Sequence, residues 1–212
     1  MLQYLTIPVT PFQQNCSLVW CDQTLEAAVI DPGGDLDRVL AEVDRLGIKL
    51  GQIWLTHAHI DHAGGTAELA RRLGLPIIGP HEGDQYWIDG LPMQSVKFGF
   101  PPAGHFTPTR WLHDGDSLQL GNSQVSVRHC PGHTPGHVVF HSAEAQRAFV
   151  GDVLFAGSIG RTDFPGGDYD QLIASITQRL WPMGNDTVFI PGHGPESSFG
   201  RERRMNPYVQ GT

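Results

Sequence analysis

The stretch Thr56-His57-Ala58-His59-Ile60-Asp61-His62 (THAHIDH) puts three histidines and an aspartate within seven residues, with no lysine or arginine beside them to pair the carboxylate. It closes QIWLT (52–56), an apolar run of strand character. Alternate residues of an extended segment face the same way, so His57 and His59 can aim both imidazoles at one point. Asp61 and His62 lie one turn further on and suit a second centre close by. A plain strand-to-helix loop would use only Asp61, as a helix cap. Its clustered imidazoles would repel when protonated and gain nothing in return.

Working outward, apolar patterning divides the chain into two similar halves. The first has strands at SLVW (17–20) and LEAAVID (25–31), then a break at Pro32-Gly33-Gly34. Asp35 is placed to cap a helix with Leu36, Val39, Leu40, Val43 and Leu46 at helical spacing, ending at Gly47. A second helix is expected from about His62 to Leu73, and PIIGP (76–80) as the next strand. Residues 83–108, rich in Gly, Pro and aromatics, show no clear period. The second half has strands at SLQL (117–120), QVSVRHC (124–130), HVVFH (137–141) and RAFVGD (147–152). A helix follows over 169–181, and a last strand at TVFIPGH (187–193). Strand clusters mixed with helices in each half predict two sheets face to face with helices outside, in a single domain over residues 1–212.

Three further donors fall at strand ends. CPGHTPGH presents His133, VGDVLF presents Asp152 without a cationic partner, and IPGHG presents His193. Pro-Gly-His occurs twice, each time where a strand stops and a rigid turn begins. Five histidines and two aspartates exceed the needs of one tetrahedral ion but suit two divalent ions sharing a carboxylate. The expected division gives His57, His59 and His133 to one metal, Asp61, His62 and His193 to the other, and Asp152 to both. One bridging position then remains for a water whose pKa such a pair brings toward neutrality. The mixed imidazole–carboxylate set suits zinc best, with iron and manganese also accepted.

Composition bounds the rest. The net charge of −8 argues against a nucleic-acid partner, which needs a basic face. No run approaches the roughly 20 apolar residues of a membrane helix. The first sixteen residues lack the basic and apolar regions of a secretion signal, so the expected compartment is the cytoplasm. Cys16, Cys21 and Cys130 are an odd, scattered set that fits reduced, half-buried thiols.

THAHIDH followed in order by PGHTPGH, GD and PGHG resembles the metallo-β-lactamase superfamily, over essentially residues 10–200. The resemblance implies an α/β (α+β) fold, a four-layer αββα sandwich with metals at one edge between the sheets. NCSLVW, PGHTPGH and GSIGRTDFPGGD are similar to the glyoxalase II group within it, the hydroxyacylglutathione hydrolases. That implies cleavage of S-D-lactoylglutathione to D-lactate and glutathione in methylglyoxal detoxification, by a metal-bridging hydroxide with Asp61 and Asp152 at the reaction centre. The chain ends about twenty residues past His193, which suggests a short form without the group's C-terminal helical domain. Gly160 and Arg161 stand where the larger members carry a lysine and a tyrosine. GRTDF also resembles the persulfide dioxygenases, which use a single iron, and other hydrolases of the fold, such as lactonases, share the donor set.

Arg161 and Asp163 could line a substrate channel or pair to brace their loop. His137 reads as a supporting residue, His129 and His141 as strand residues, and His81, His105 and His113 as loop residues unconnected to the donor set. RERRMN (201–206) is a basic cluster that reads as a solvated face or as an attractor for glutathione carboxylates.

Overall fold

A computed structural model of the protein describes residues 1–210. The first sheet holds β1 (Leu2–Val9), β2 (Gln14–Cys21), β3 (Glu26–Ile30), β4 (Lys49–Trp54) and β5 (Ile77–Ile78), in that spatial order. β1, β2 and β3 pair antiparallel, whereas β3–β4 and β4–β5 are parallel. The parallel steps are bridged by α1 (Leu36–Leu46) and by α2 (Ile60–Ala63) with α3 (Thr66–Leu73). After β5 come α4 (Gln85–Asp89) and α5 (Leu91–Phe98). The second sheet contains β6 (Ser117–Leu120), β7 (Ser123–His129), β8 (Val138–Ser142), β9 (Arg147–Gly151), β12 (Val188–Pro191) and β13 (Ser197–Ser198), with the small hairpin β10 (Leu154–Phe155) and β11 (Ser158–Ile159) beside it. α6 (Tyr169–Ser175) and α7 (Phe199–Met205) complete the chain.

The four layers follow from period-two burial. Along β3, Ala27 and Val29 join the core under α1, while Ala28 and Ile30 turn to the second sheet. Along β9, Phe149 faces the first sheet, and Ala148 and Val150 face α6. Both faces of both sheets are therefore buried, giving three apolar cores between four layers. In the central one Trp54 of β4 meets Phe140 of β8 at 5.3 Å. At one edge the sheets are stitched together: Val138 N–H donates to the Thr56 carbonyl at 2.8 Å, and Asn15 N–H to that of Gly192 at 2.7 Å.

Several local elements differ from expectation. β1 was not foreseen; it is an edge strand with irregular burial and a proline at position 8. The helix expected over 62–73 is two pieces, because Gly64-Gly65 interrupts it and Gly65 N–H donates to the Pro32 carbonyl at 3.0 Å. Asp35 precedes α1 but makes no side-chain cap; in a left-handed conformation (φ 49°) it accepts instead from Thr10 N–H at 2.9 Å. The helix expected over 169–181 keeps α geometry only to Ser175, then widens through Ile176–Leu180 and tightens over Trp181–Met183. Among the described residues no helix is long and apolar enough to cross a membrane.

Candidate metal centre

All seven expected donors gather at the stitched edge. THAHIDH leaves the end of β4, His133 follows β7, Asp152 follows β9 and His193 follows β12. His57, His59 and His133 form one group of converging ligand atoms, and Asp61, His62 and His193 another. Asp152 lies between them: Oδ1 is 3.4 Å from His62 Nε2, and Oδ2 is 3.6 Å from His133 Nε2 and 3.7 Å from His193 Nε2. Asp61 Oδ2 is 3.1 Å from His193 Nε2. Close approach is needed behind the centre, where a Cβ on Gly192 would collide with Asp152 Oδ1 and His62.

Ring orientation decides what the cluster can do. His57 Nδ1 lies 3.0 Å from Thr56 Oγ1, which itself donates to Asp31 Oδ2 at 2.6 Å, so His57 donates at Nδ1. His62 Nδ1 donates to Asp31 at 2.9 Å, His133 Nδ1 to the Arg161 carbonyl at 2.8 Å, and His193 Nδ1 to the Phe12 carbonyl at 3.2 Å. Each neutral ring then keeps a lone pair at Nε2, facing inward, as in histidines that hold metals. His59 is turned the other way, with Nδ1 3.0 Å from His133 Nε2. Among the described residues the buried Nε2 atoms of His57, His59 and His62 and Asp152 Oδ1 have no hydrogen-bond partner. Such unpartnered polar atoms are costly when buried, and cations in place of protons would satisfy them. The residues therefore fit a pair of divalent ions.

Without an ion the rings differ in charge: His57 and His59 stay neutral, while a proton on His62 takes the place of a cation beside Asp61 and Asp152. Burial, followed by the neighbouring imidazoles, holds His57 well below its ordinary pKa; burial and His133 do so for His59. Burial also disfavours charge on His62, but Asp152 and Asp61 outweigh it and raise that ring well above the usual value. Burial pushes the Asp152 carboxyl up, yet His62, His133 and His193 hold it far below the carboxylate range.

Three supporting side chains were not singled out in the sequence. Asp31, at the end of β3, binds Thr56 N–H at 2.7 Å and orients His57 and His62. Its signal was available: an aspartate closing a strand before Pro-Gly-Gly, as Asp152 closes β9. Asp84 accepts from Ala58 N–H at 2.9 Å, Thr134 Oγ1 at 3.0 Å and Gly136 N–H at 2.6 Å, clamping the THAHIDH loop to the PGHTPGH loop. Burial raises its carboxyl to about 6. Gln94 of α5 binds Ile60 N–H at 3.0 Å. His137 accepts from Asp152 N–H at 3.1 Å and stacks on His57 at 4.7 Å, a supporting position.

Arg161 lines the cleft above the centre and also braces its loop, bonded to Asp163 at 2.7 and 2.6 Å. The basic cluster 201–206 falls mainly on α7 and does not line this cleft. Cys16, Cys21 and Cys130 are buried and unbridged. His81, Glu82 and His113 form a separate surface group, and His129 stacks on His81 at 4.1 Å.

The Metallo-beta-lactamase superfamily pattern matches residues 9–193. The chain is 46% identical over 204 residues to the hydroxyacylglutathione hydrolase GloC of Haemophilus influenzae, covering 96% of each. It is similar in structure to BLEG-1 B3 metallo-beta-lactamase (TM-score 0.90, 34% identity, 99% of this chain and 100% of that one). It also resembles TTHA1623 in a di-iron-bound form (TM-score 0.87, 36% identity, 97% and 100% covered). The layered fold, the family pattern and these relatives agree: the chain belongs to the metallo-beta-lactamase superfamily, and to the glyoxalase II type within it.

Proposed function

We propose that this protein is a metal-dependent thioester hydrolase that converts S-D-lactoylglutathione to D-lactate and glutathione. The observation carrying the reading is the set of four imidazoles whose Nδ1 atoms donate outward while their Nε2 atoms converge with Asp61 and Asp152 below an open cleft. His57, His59 and His133 would hold one divalent ion, Asp61, His62 and His193 the other, and Asp152 both; zinc, iron and manganese all suit these donors. Ions held there supply Lewis acidity and make hydroxide available at neutral pH.

The chain's own groups divide the remaining work. Asp152, kept ionised by its imidazole neighbours, serves to hold cations and not to take protons. Asp61 borders the cleft, where it can orient the attacking water and accept its proton. In the net reaction water oxygen bonds to the carbonyl carbon, the C–S bond breaks, and its electron pair leaves with sulfur. The acid and thiol then share the remaining protons with solvent. Trp87 and Phe164 flank His59 at 4.5 and 5.2 Å, limiting water on that side.

No step uses oxygen. Purified, metal-loaded protein is expected to hydrolyse S-D-lactoylglutathione equally well with and without air, and to consume no oxygen when offered glutathione persulfide. Oxygen uptake on persulfide with the thioester left intact would replace this reading with a persulfide dioxygenase.

A further inference from the structure

The cleft is apolar where a lactoyl thioester is polar. It encloses about 840 Å³, a volume typical of small-molecule sites. Beyond Trp87 and Phe164, α5 holds Met93 and Val96 at the cleft wall, 79% and 84% exposed. Large apolar side chains held in water beside a reaction centre gain when a ligand covers them. A lactoyl group, three carbons with a hydroxyl, offers little surface to do so.

The cleft's charges are equally uneven. Apart from the proposed ligands, its charged side chains are Arg161 and Lys97. The Arg161 guanidinium is already engaged by Asp163 and lies 4.1 Å above the Phe164 ring. Lys97, on the last turn of α5, meets the Phe98 ring at 5.3 Å and has no carboxylate partner among the described residues. An available cation beside an apolar wall suits a ligand with an apolar acyl end and a peptide end that offers a carboxylate.

We propose that the cleft selects glutathione thioesters bearing a bulky apolar acyl group, packed on Trp87, Met93, Val96 and Phe164, with Lys97 receiving a carboxylate of the peptide. This rests on the thioester-hydrolase reading and shifts its preferred acyl group, leaving the lactoyl thioester a poorer substrate than bulky apolar ones. The net chemistry is unchanged: water replaces the thiol at the carbonyl carbon, giving an apolar carboxylic acid and glutathione.

The test compares acetyl, D-lactoyl, hexanoyl and phenylacetyl thioesters of glutathione on the metal-loaded full chain. kcat/KM is expected to rise on the order of tenfold from acetyl to phenylacetyl, mainly through KM. Met93→Ser combined with Val96→Ser, both exposed positions, flattens that series. In calorimetry, the stable thioether S-hexylglutathione binds about tenfold tighter than S-methylglutathione, and the double variant loses the difference. Lys97→Gln raises KM about threefold more for glutathione thioesters than for the uncharged acetyl thioester of N-acetylcysteamine. Fast hydrolysis with no dependence on acyl size overturns the proposal and leaves the hydrolase reading intact. Failure to hydrolyse any thioester overturns both.

Discussion

Two groups of histidines in this protein are built in opposite ways. At the sheet edge, the outer nitrogens of His57, His62, His133 and His193 meet oxygen atoms, so each neutral ring keeps an inward lone pair. Around His81, the Gly83 N–H points at Nδ1 from 3.1 Å, so the ring's proton sits on Nε2, toward Glu82. His113 Nε2 lies 3.1 Å from the same carboxylate, and His129 Nε2 is 2.8 Å from the Pro135 carbonyl. The second group satisfies itself with hydrogen bonds. In the first, the buried Nε2 atoms of His57 and His62 and Asp152 Oδ1 have no hydrogen-bond partner among the described residues. What the outer nitrogen meets, more than the number of histidines, separates a candidate metal centre from a hydrogen-bonded knot.

The most severe way to break this contrast is to remove the carboxylate between the two donor groups. Asp152→Ala is expected to lose both metals and to lower kcat/KM by about 10³-fold or more, read by elemental analysis and thioester hydrolysis. Asp152→Asn should fail similarly, because a neutral amide is a poor bridge between cations. A variant keeping its metal and near-normal turnover would take Asp152 out of the centre.

Changing what the rings donate to is a subtler strike. Asp31 is not one of the seven proposed ligands, although it lies close to His57 and His62, and Asp31→Asn turns an acceptor for His62 Nδ1 and Thr56 Oγ1 into a partial donor. Metal affinity, measured by competition with a chelator, is expected to fall about 10- to 100-fold. Unchanged affinity would mean that the outer contacts do not set the tautomers.

The metal-free protein should also report the contrast through pH. Burial above all holds His57, His59, His133 and His137 below their ordinary pKa, so the unfolded chain binds protons first as pH falls through about 6.5, and stability is lost. Asp84, raised to about 6, offsets part of that loss by binding a proton in the folded state before the unfolded one does. His62 and His193, raised by their carboxylates against burial, contribute stability that is lost as pH rises through their folded values. Denaturant melts with chelator present are therefore expected to peak near pH 6.5 and fall more steeply on the acid side. A monotonic profile would contradict this balance.

The smallest effect belongs to the other group. Glu82→Gln or His113→Gln should leave metal content unchanged and turnover within about twofold. Loss of metal from either variant would erase the distinction between the two clusters.

Residue chemistry and short-range period carried much of this reading. Short apolar runs made β2, β3, β8 and β9 legible, because a strand buried on both faces is apolar along nearly its whole length. The same local logic exposed the donors, since each stands where such a run stops. β1 escaped because an edge strand is half solvated and need not alternate. α4 and α5 escaped because they are short and bounded by glycine, with a proline at the second position of α5.

The sequence by itself therefore determined which side chains could serve as donors and at which strand ends they stand. Only the tertiary structure decided which way each ring faces. The partners that settle this are remote: Asp31 is 31 residues from His62, Arg161 28 from His133, and Phe12 181 from His193. A ring nitrogen's proton is placed by whatever acceptor the fold brings within about 3 Å, and no local period encodes that contact.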